Sequence, residues 1–362
     1  ESVRETTFDS LPSLKCEDGV AKIRIHETLP ETTYLEGFKV FAAKNSNGFL
    51  KPDTKGRPRV MQKWISPQGC MVSEAESQEE CMNLIKDHDE VFYEPRFDSE
   101  EREDWIEMEF EDVDSQNPKL YFVARKQHFY TTYFDYMVHI MGEERYPVFS
   151  DISDWPLLNK VTNAWWNNNL EMKIEVWNGE EWVRQAGISA GRHMPGSGAD
   201  DFLVSLEGVN SDLEKVKVRF RFLTGSFGID YAALDDSQDP EIETKEVEPE
   251  EIYLNGEEIN DFQQQLGLGD IIEAGYKCEE GDDLFFSISG YYHPKEFVKE
   301  REKDFISAWS EYFMFFLGGK DYVVETAARK GLFKEARSLS AFSAEELREQ
   351  AKICSVAYLV FA

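Results

Sequence analysis

The sequence of 362 residues lacks any uninterrupted apolar run near the roughly 20 residues that span a bilayer as a helix; the longest stretch, Ser355 to Ala362, is short. No membrane-spanning helix is expected. Basic residues are scarce beside acids, with 39 Lys and Arg against 71 Asp and Glu and a formal charge of -32. Nucleic acid or an anionic membrane would meet repulsion rather than gain counterion release, so neither is expected as a partner. Cysteine is sparse too. The five present (Cys16, Cys70, Cys81, Cys278, Cys354) form no CxxC and no Cys/His spacing of a structural zinc site.

Packing material is plentiful. A hydrophobic fraction of 41%, with 26 Phe, 15 Tyr and 8 Trp, argues against general disorder and places the acidic excess on the surface. At this length two or three domains are expected rather than one core. The frequent lysines, such as Lys295, Lys299, Lys303 and Lys320, suit a Glu/Lys-rich thermophile surface better than a halophile one. Cys70, preceded by Gly69, and Cys81 would close a short polar loop, and a disulfide between them is expected if the chain is exported. The odd cysteine count then leaves a free thiol. The opening at Glu1, without methionine or an apolar leader, fits removal of a targeting peptide and equally a trimmed chain.

Alternation of apolar and polar residues predicts strands at Val20 to His26, Phe38 to Ala42, Trp105 to Phe110, Leu120 to Ala124, Met172 to Val176, Phe202 to Leu206 and Val216 to Phe222. Turn signals separate them, among them Asn45-Ser46-Asn47-Gly48, Asn178-Gly179 and Asn255-Gly256. Asn178-Gly179, between Glu171 to Trp177 and Trp182 to Arg184, is the clearest hairpin. Many short strands joined by such turns favour antiparallel sandwiches over a parallel α/β sheet. Helical spacing is confined to Phe129 to Met141, Lys295 to Leu317 and a final segment opened by the Ser343/Glu346 capping box.

An internal repeat organises this pattern. Ser66 to Glu76 aligns with Glu248 to Glu258, and the flanks correspond: Tyr34-Leu35-Glu36 with Gly228-Ile229-Asp230 upstream, Trp105 to Phe110 with Asp283 to Ile288 downstream. The expected fold class is mainly β with some α. Two related β-modules (1–150 and 227–295) flank a central antiparallel β-sandwich segment (151–226), followed by a C-terminal helical region (296–362).

Four stretches, Leu29-Pro30-Glu31-Thr32-Thr33-Tyr34-Leu35-Glu36, Tyr133-Phe134-Asp135-Tyr136, Gly228-Ile229-Asp230-Tyr231-Ala232-Ala233-Leu234-Asp235 and Ser289-Gly290-Tyr291-Tyr292, resemble those of a family of exported prokaryotic β-rich proteins with a duplicated module. They are spread from Leu29 to Tyr292, and the tail from about Glu296 falls outside them. The resemblance implies an extracellular or cell-surface β-rich protein and carries no activity or cofactor.

Candidate chemistry is thin. Gly187-Ile188-Ser189-Ala190-Gly191 spells a nucleophile elbow, but the following Arg192-His193-Met194-Pro195-Gly196 cannot open the helix that elbow needs, so a turn is preferred. Asp87-His88-Asp89 holds competent metal ligands and reads equally as a polar turn. Asp112, Asp114 and Asn117, and Asp235, Asp236 and Asp239, gather oxygens on two loops after strands and are the candidate calcium ligands. Neither loop has EF-hand spacing, and an ordinary Asx-rich turn is the stronger reading. Trp165 and Trp166, with Trp177 and Trp182, are the candidate ligand-binding residues, as an aromatic platform for a glycan; cross-strand packing is the competing explanation for the last two.

The expected function is therefore that of an exported, non-enzymatic structural, adhesive or assembly protein. A carbohydrate-binding or polysaccharide-breakdown accessory role is the alternative. Self-association is expected from the crowding of Phe305, Trp309, Tyr312, Phe313, Phe315 and Phe316 before Gly318-Gly319, unless Ala344 to Val356 covers them.

Overall fold

The structure is a computed structural model that describes residues 5–11, 14, 16, 18–28, 31–44, 48–73, 78–94, 102–127, 129, 132, 155–189, 199–209, 215–294 and 305–330. In chain order these form β1 (Glu5–Ser10), β2 (Val20–His26), β3 (Glu31–Lys44), β4 (Phe49–Pro52), β5 (Pro58–Met61), β6 (Gly69–Val72), α1 (Gln78–Leu84), β7 (Glu103–Phe110), β8 (Lys119–Lys126), α2 (Pro156–Asn169), β9 (Met172–Trp177) and β10 (Trp182–Ile188). There follow β11 (Ala199–Ser205), β12 (Val216–Leu223), β13 (Phe227–Asp235), β14 (Glu243–Val247), β15 (Pro249–Leu254), β16 (Glu257–Glu258), β17 (Gln264–Gly267), β18 (Ile271–Lys277), β19 (Asp283–Pro294) and α3 (Phe305–Lys330). The chain is mostly β, in antiparallel sheets, and divides into two compact units of which neither is continuous in sequence.

Unit 1 comprises residues 1–64 and 235–295. Its longest pairing joins β3 to β19, with β1 and β14 completing the row and β17 also pairing with β3. A second sheet runs β16-β15-β18-β2. Along β3 the period of two sends Phe38, Val40 and Ala42 to a core shared with Ile252, Ile272, Ala274 and Tyr276 of the second sheet, while Ala43 faces a smaller cluster with Leu50, Val60 and Phe285. Burial on both sides explains why Val40-Phe41-Ala42-Ala43 of β3 is apolar at every position rather than alternating. Two of the motifs quoted above meet here, since Tyr34 of β3 pairs with Tyr291 of β19 and their rings stack at 4.8 Å. The ladder shifts register between Ser289 and Gly290, where a β-carbon on Gly290 would lie 2.5 Å from the Tyr34 carbonyl oxygen.

Unit 2 comprises residues 65–234 and 296–362. Sheet β10-β9-β12-β7-β6 packs one face onto sheet β11-β8-β13. Met172, Ile174 and Val176, Val218, Phe220 and Phe222, and Ile106, Met108 and Phe110 come from the first sheet; Leu120, Phe122, Phe202 and Phe227 answer from the second. Phe122 touches Phe220 across the layers at 4.8 Å between ring centres. These are the two inner faces of a β-sandwich. Val323, Val324 and Ala327 of α3 are buried in the same core.

The expected division along the chain needs correction. The sandwich is not confined to 151–226, because β6, β7 and β8 of the presumed first module supply its strands, whereas β1 to β5 join β14 to β19 in the other unit. The proposed repeat does not share strand order. β6 pairs directly with β7, but its counterpart β15 lies between β16 and β18, and the counterpart of β7, β19, pairs with β3 and β1. Similar alternation reflects a common half-buried strand environment, which many unrelated strands have. The predicted helix at Phe129 to Met141 and the one opened by Ser343 lie outside the described residues except at Phe129 and Thr132, and the segment at Lys295 to Leu317 is described as helix from Phe305 onward.

Candidate functional site: an apolar helix face and a charged sheet face

In α2, Pro156 takes the first helical position, where its missing N–H costs nothing. Trp165 packs against the unit 2 core. The opposite side carries Leu157, Val161, Ala164 and Asn168 at the four-three-four spacing of one helix face, all exposed. Leu157 is 76% and Val161 42% exposed, and Trp155, just before the helix, is 68% exposed, so their apolar area is not part of the core. From Trp155 to Asn169 there is not one acidic residue and only Lys160 is charged, in a chain with 71 acids. Such an uncovered apolar stripe on a surface otherwise crowded with charge marks an interaction face.

At the C-terminal end of α2, Asn169 donates from Nδ2 to the Trp165 carbonyl at 2.7 Å and accepts the Lys320 backbone N–H at 3.3 Å. Lys320 opens the second half of α3, which is broken at Gly319 (φ 54°, ψ -152°). Asn169 thereby caps that half-helix, supplying an acceptor to one of its orphaned N–H groups.

The outward face of sheet β10-β9-β12-β7-β6 is charged. On β12, Lys217, Arg219 and Arg221 project at alternate positions, with Lys215 just before the strand. Lys215 and Lys217 pair with Glu109 at 3.1 and 2.8 Å. Glu175 on β9 takes Arg219 at 2.7 Å on one oxygen and Arg221 at 2.8 Å on the other; Glu103 on β7 takes Arg221 at 3.1 Å and Lys320 at 3.0 Å. Burial alone would push Glu175 upward, but the hydrogen bonds from Arg221 and Arg219 hold its carboxyl below the usual range. Glu103 is held low in the same way by Lys320 and Arg221 against its own burial.

The tryptophans expected to bind a ligand divide. Trp177 and Trp182 are direct cross-strand partners with ring centres 5.6 Å apart, and the Arg219 guanidinium lies 4.1 Å over the Trp182 ring. Both are half-buried and serve as packing at the hairpin end. Trp165 faces the core from α2 rather than an open platform, and the side chain of Trp166 lies outside the described residues. No helix is among the elements expected here from the sequence; the spacing of Leu157, Leu158, Val161, Ala164 and Trp165 is the helical signal available.

The acidic loops belong to different units. Asp112 (φ 57°), Asp114 and Asn117 are exposed in a turn where the Asn117 N–H donates to Ser115 Oγ and the Val209 N–H to the Gln116 carbonyl. Asp235 is fully buried and accepts the Gln62 and Ser237 N–H groups, Asp236 pairs with Lys63, and Asp239 with Arg59, each at 2.7 Å or less. Protein donors already hold that turn, and among the described residues no group of three His, Cys, Asp or Glu side chains is placed to hold a metal ion. His88 instead sits on Tyr231, 5.8 Å between ring centres, with Nε2 4.0 Å from the buried Asp230, whose carboxyl is raised by burial. Ser189 is buried at the end of β10; residues 190–198, including His193, lie outside the described residues.

Cys70 on β6 is bonded to Cys81 on α1, and Cys16 to Cys278 beside β18, so each unit holds one disulfide. The second pairing, 262 residues apart, had no sequence signal. No helix among the described residues is long and apolar enough to cross a membrane. No protein-family model matches the chain, and no curated protein does. What defines it is its class: a mostly β protein of two disulfide-bonded units, one a sandwich bearing an acid-free helix.

Proposed function

We propose that the protein is exported and acts at or outside the cell surface as an assembly component, two copies meeting through α2. The observation that carries this reading is the uncovered stripe of Leu157, Val161 and Ala164, with Trp155 beside it, on the one helix without acids among the described residues. Two chains of charge -32 repel wherever acids face each other, so an acid-free apolar face is where copies approach at the least electrostatic cost. A helix stripe laid against its own copy about a two-fold axis is self-complementary. The disulfide in each unit supports an oxidising compartment.

A stripe this small falls below the about 800 Å² per partner of a standard interface, so the two-fold contact is weak and fills only at high protein concentration. Light scattering across a dilution series should show mass rising with concentration, more so in high salt, which screens the repulsion. Leu157→Lys with Val161→Glu, both at exposed positions, should abolish the rise while leaving the fold intact by circular dichroism. Wild-type protein that is monomeric throughout, or a double variant that associates as before, sinks the reading.

A further inference from the structure

The charged face of unit 2 is balanced except at one end. Lys173 on β9 is the direct cross-strand partner of Arg221 on β12, and like charges directly opposite are destabilising. Its Nζ donates to the Asn168 carbonyl at 2.6 Å, at the end of α2, and among the described residues no carboxylate forms an ion pair with it. On its other side the partner is Gly187, which has no side chain, and a β-carbon there would collide with both Glu171 Oε2 and Arg184 Nη2. The Glu171–Arg184 pair (2.6 Å) thus leans across the Gly187 position towards Lys173. The Lys320–Glu103–Arg221 chain closes the opposite side.

Among the described residues, four cations, Lys173, Arg184, Arg221 and Lys320, therefore surround a spot served by Glu171 and Glu103, with Glu175 divided between Arg221 and Arg219. The helix ends do not correct the imbalance: the negative C-terminal end of α2 and the positive start of the second half of α3 meet there with opposite sign. We infer that this junction of β9, β12, α2 and α3 is a binding site for a doubly charged tetrahedral oxyanion, sulfate or phosphate, free or as an ester. The Lys173 ammonium has donors to spare beyond its bond to Asn168, and Arg184 has N–H groups beyond the Nη2 bond to Glu171, whereas Arg221, its fork held by Glu175 and Glu103, contributes its charge. Burial first, and then the charge of Arg221, already lower the Lys173 amine below its ordinary range, which a bound anion would reverse.

The site is independent of self-association through α2. Inorganic sulfate and inorganic phosphate, titrated separately into the full chain against chloride at matched ionic strength, should each raise the melting temperature saturably, and the stronger of the two identifies the preferred anion. Sulfate also stabilises proteins without binding, so the deciding measurement is the variant. Lys173→Met should lose the saturable part while Lys22→Met in unit 1 retains it, and without anion Lys173→Met should be no less stable than wild type. Acetylation of Lys173, followed by peptide mass analysis, should slow several-fold when the anion is present. Equal anion responses in wild type and Lys173→Met, or an acetylation rate at Lys173 unchanged by either anion, would overturn the assignment.

Discussion

Both units pair charges across neighbouring strands, yet the surroundings differ. In unit 1 Arg24 and Glu273, direct partners on β2 and β18, form an ion pair at 2.6 Å with side chains 65% and 47% exposed. In unit 2 Glu175, only 6% exposed, is gripped by two arginines. Water and salt screen the first pair almost completely, whereas the second operates where screening is poor. The same cross-strand chemistry thus keeps one sheet soluble and fixes the geometry of the other. It also explains why an unbalanced cation has consequences beside Lys173 and would have none beside Arg24.

The largest effect separating the units should come from the sandwich core. Phe220 is fully buried, touches Phe122 across the layers and lies two residues from both Arg219's neighbour Val218 and Phe222 on the inner face. Phe220→Ala should cost about 4 kcal/mol through lost burial and the cavity left behind. Seven of the eight tryptophans belong to unit 2, so fluorescence in a urea titration follows that unit. A loss below about 1 kcal/mol would mean that the two sheets do not share this core.

Next in size is Glu175→Gln. Removing the charge leaves Arg219 and Arg221 half-buried without their common partner, and about 2 to 3 kcal/mol should be lost at neutral pH. The sign with pH follows from the depressed carboxyl. Its stabilisation is fully present above the unfolded value of 4.5 and disappears as pH falls through the lower folded value, so wild-type unit 2 should lose stability below about pH 4.5. The variant should show a shallower acid limb in the same fluorescence experiment. An identical acid limb would assign the loss to other carboxylates, such as Glu103 and Glu109, which are also held low on that face.

How far the sequence reveals this contrast depends on range. Local signals read well: Val20 to His26 is strand β2 at both ends, and the strands expected around Phe38, Trp105, Leu120, Met172, Phe202 and Val216 are all present. The Asn255-Gly256 pair makes a tight two-residue turn with both φ positive (53° and 83°) between Leu254 and Glu257. Asn178-Gly179 sits instead in a four-residue loop, where the Asn178 side chain accepts the Glu180 and Glu181 N–H groups, a choice set by the Trp177–Trp182 pairing. Long-range pairing was not legible. Nothing in the residues of β3 says that β19, about 250 positions away, completes it, and the alternation that suggested a repeat is shared by every half-buried strand. The charged face was visible only as the alternating Lys215, Lys217, Arg219 and Arg221; their glutamates come from β7 and β9.

The smallest effect sharpens the contrast most, because it is an expected absence. Arg24→Met removes one partner of the exposed pair in unit 1 and leaves Glu273 fully able to hydrate, so neither desolvation nor an orphaned buried charge follows. The methionine still covers the strand surface with its apolar stem, as the arginine stem did. Hydrogen exchange at the β2–β18 amides, which reports unit 1 without relying on tryptophan, should match wild type at low and at high salt. Arg221→Met, the equivalent change in unit 2, removes a partner from both Glu175 and Glu103 and should speed exchange along β9, β12 and β7. If Arg24→Met instead loosened β2 and β18 as much as Arg221→Met loosens its own sheet, screening would not be what distinguishes the two units.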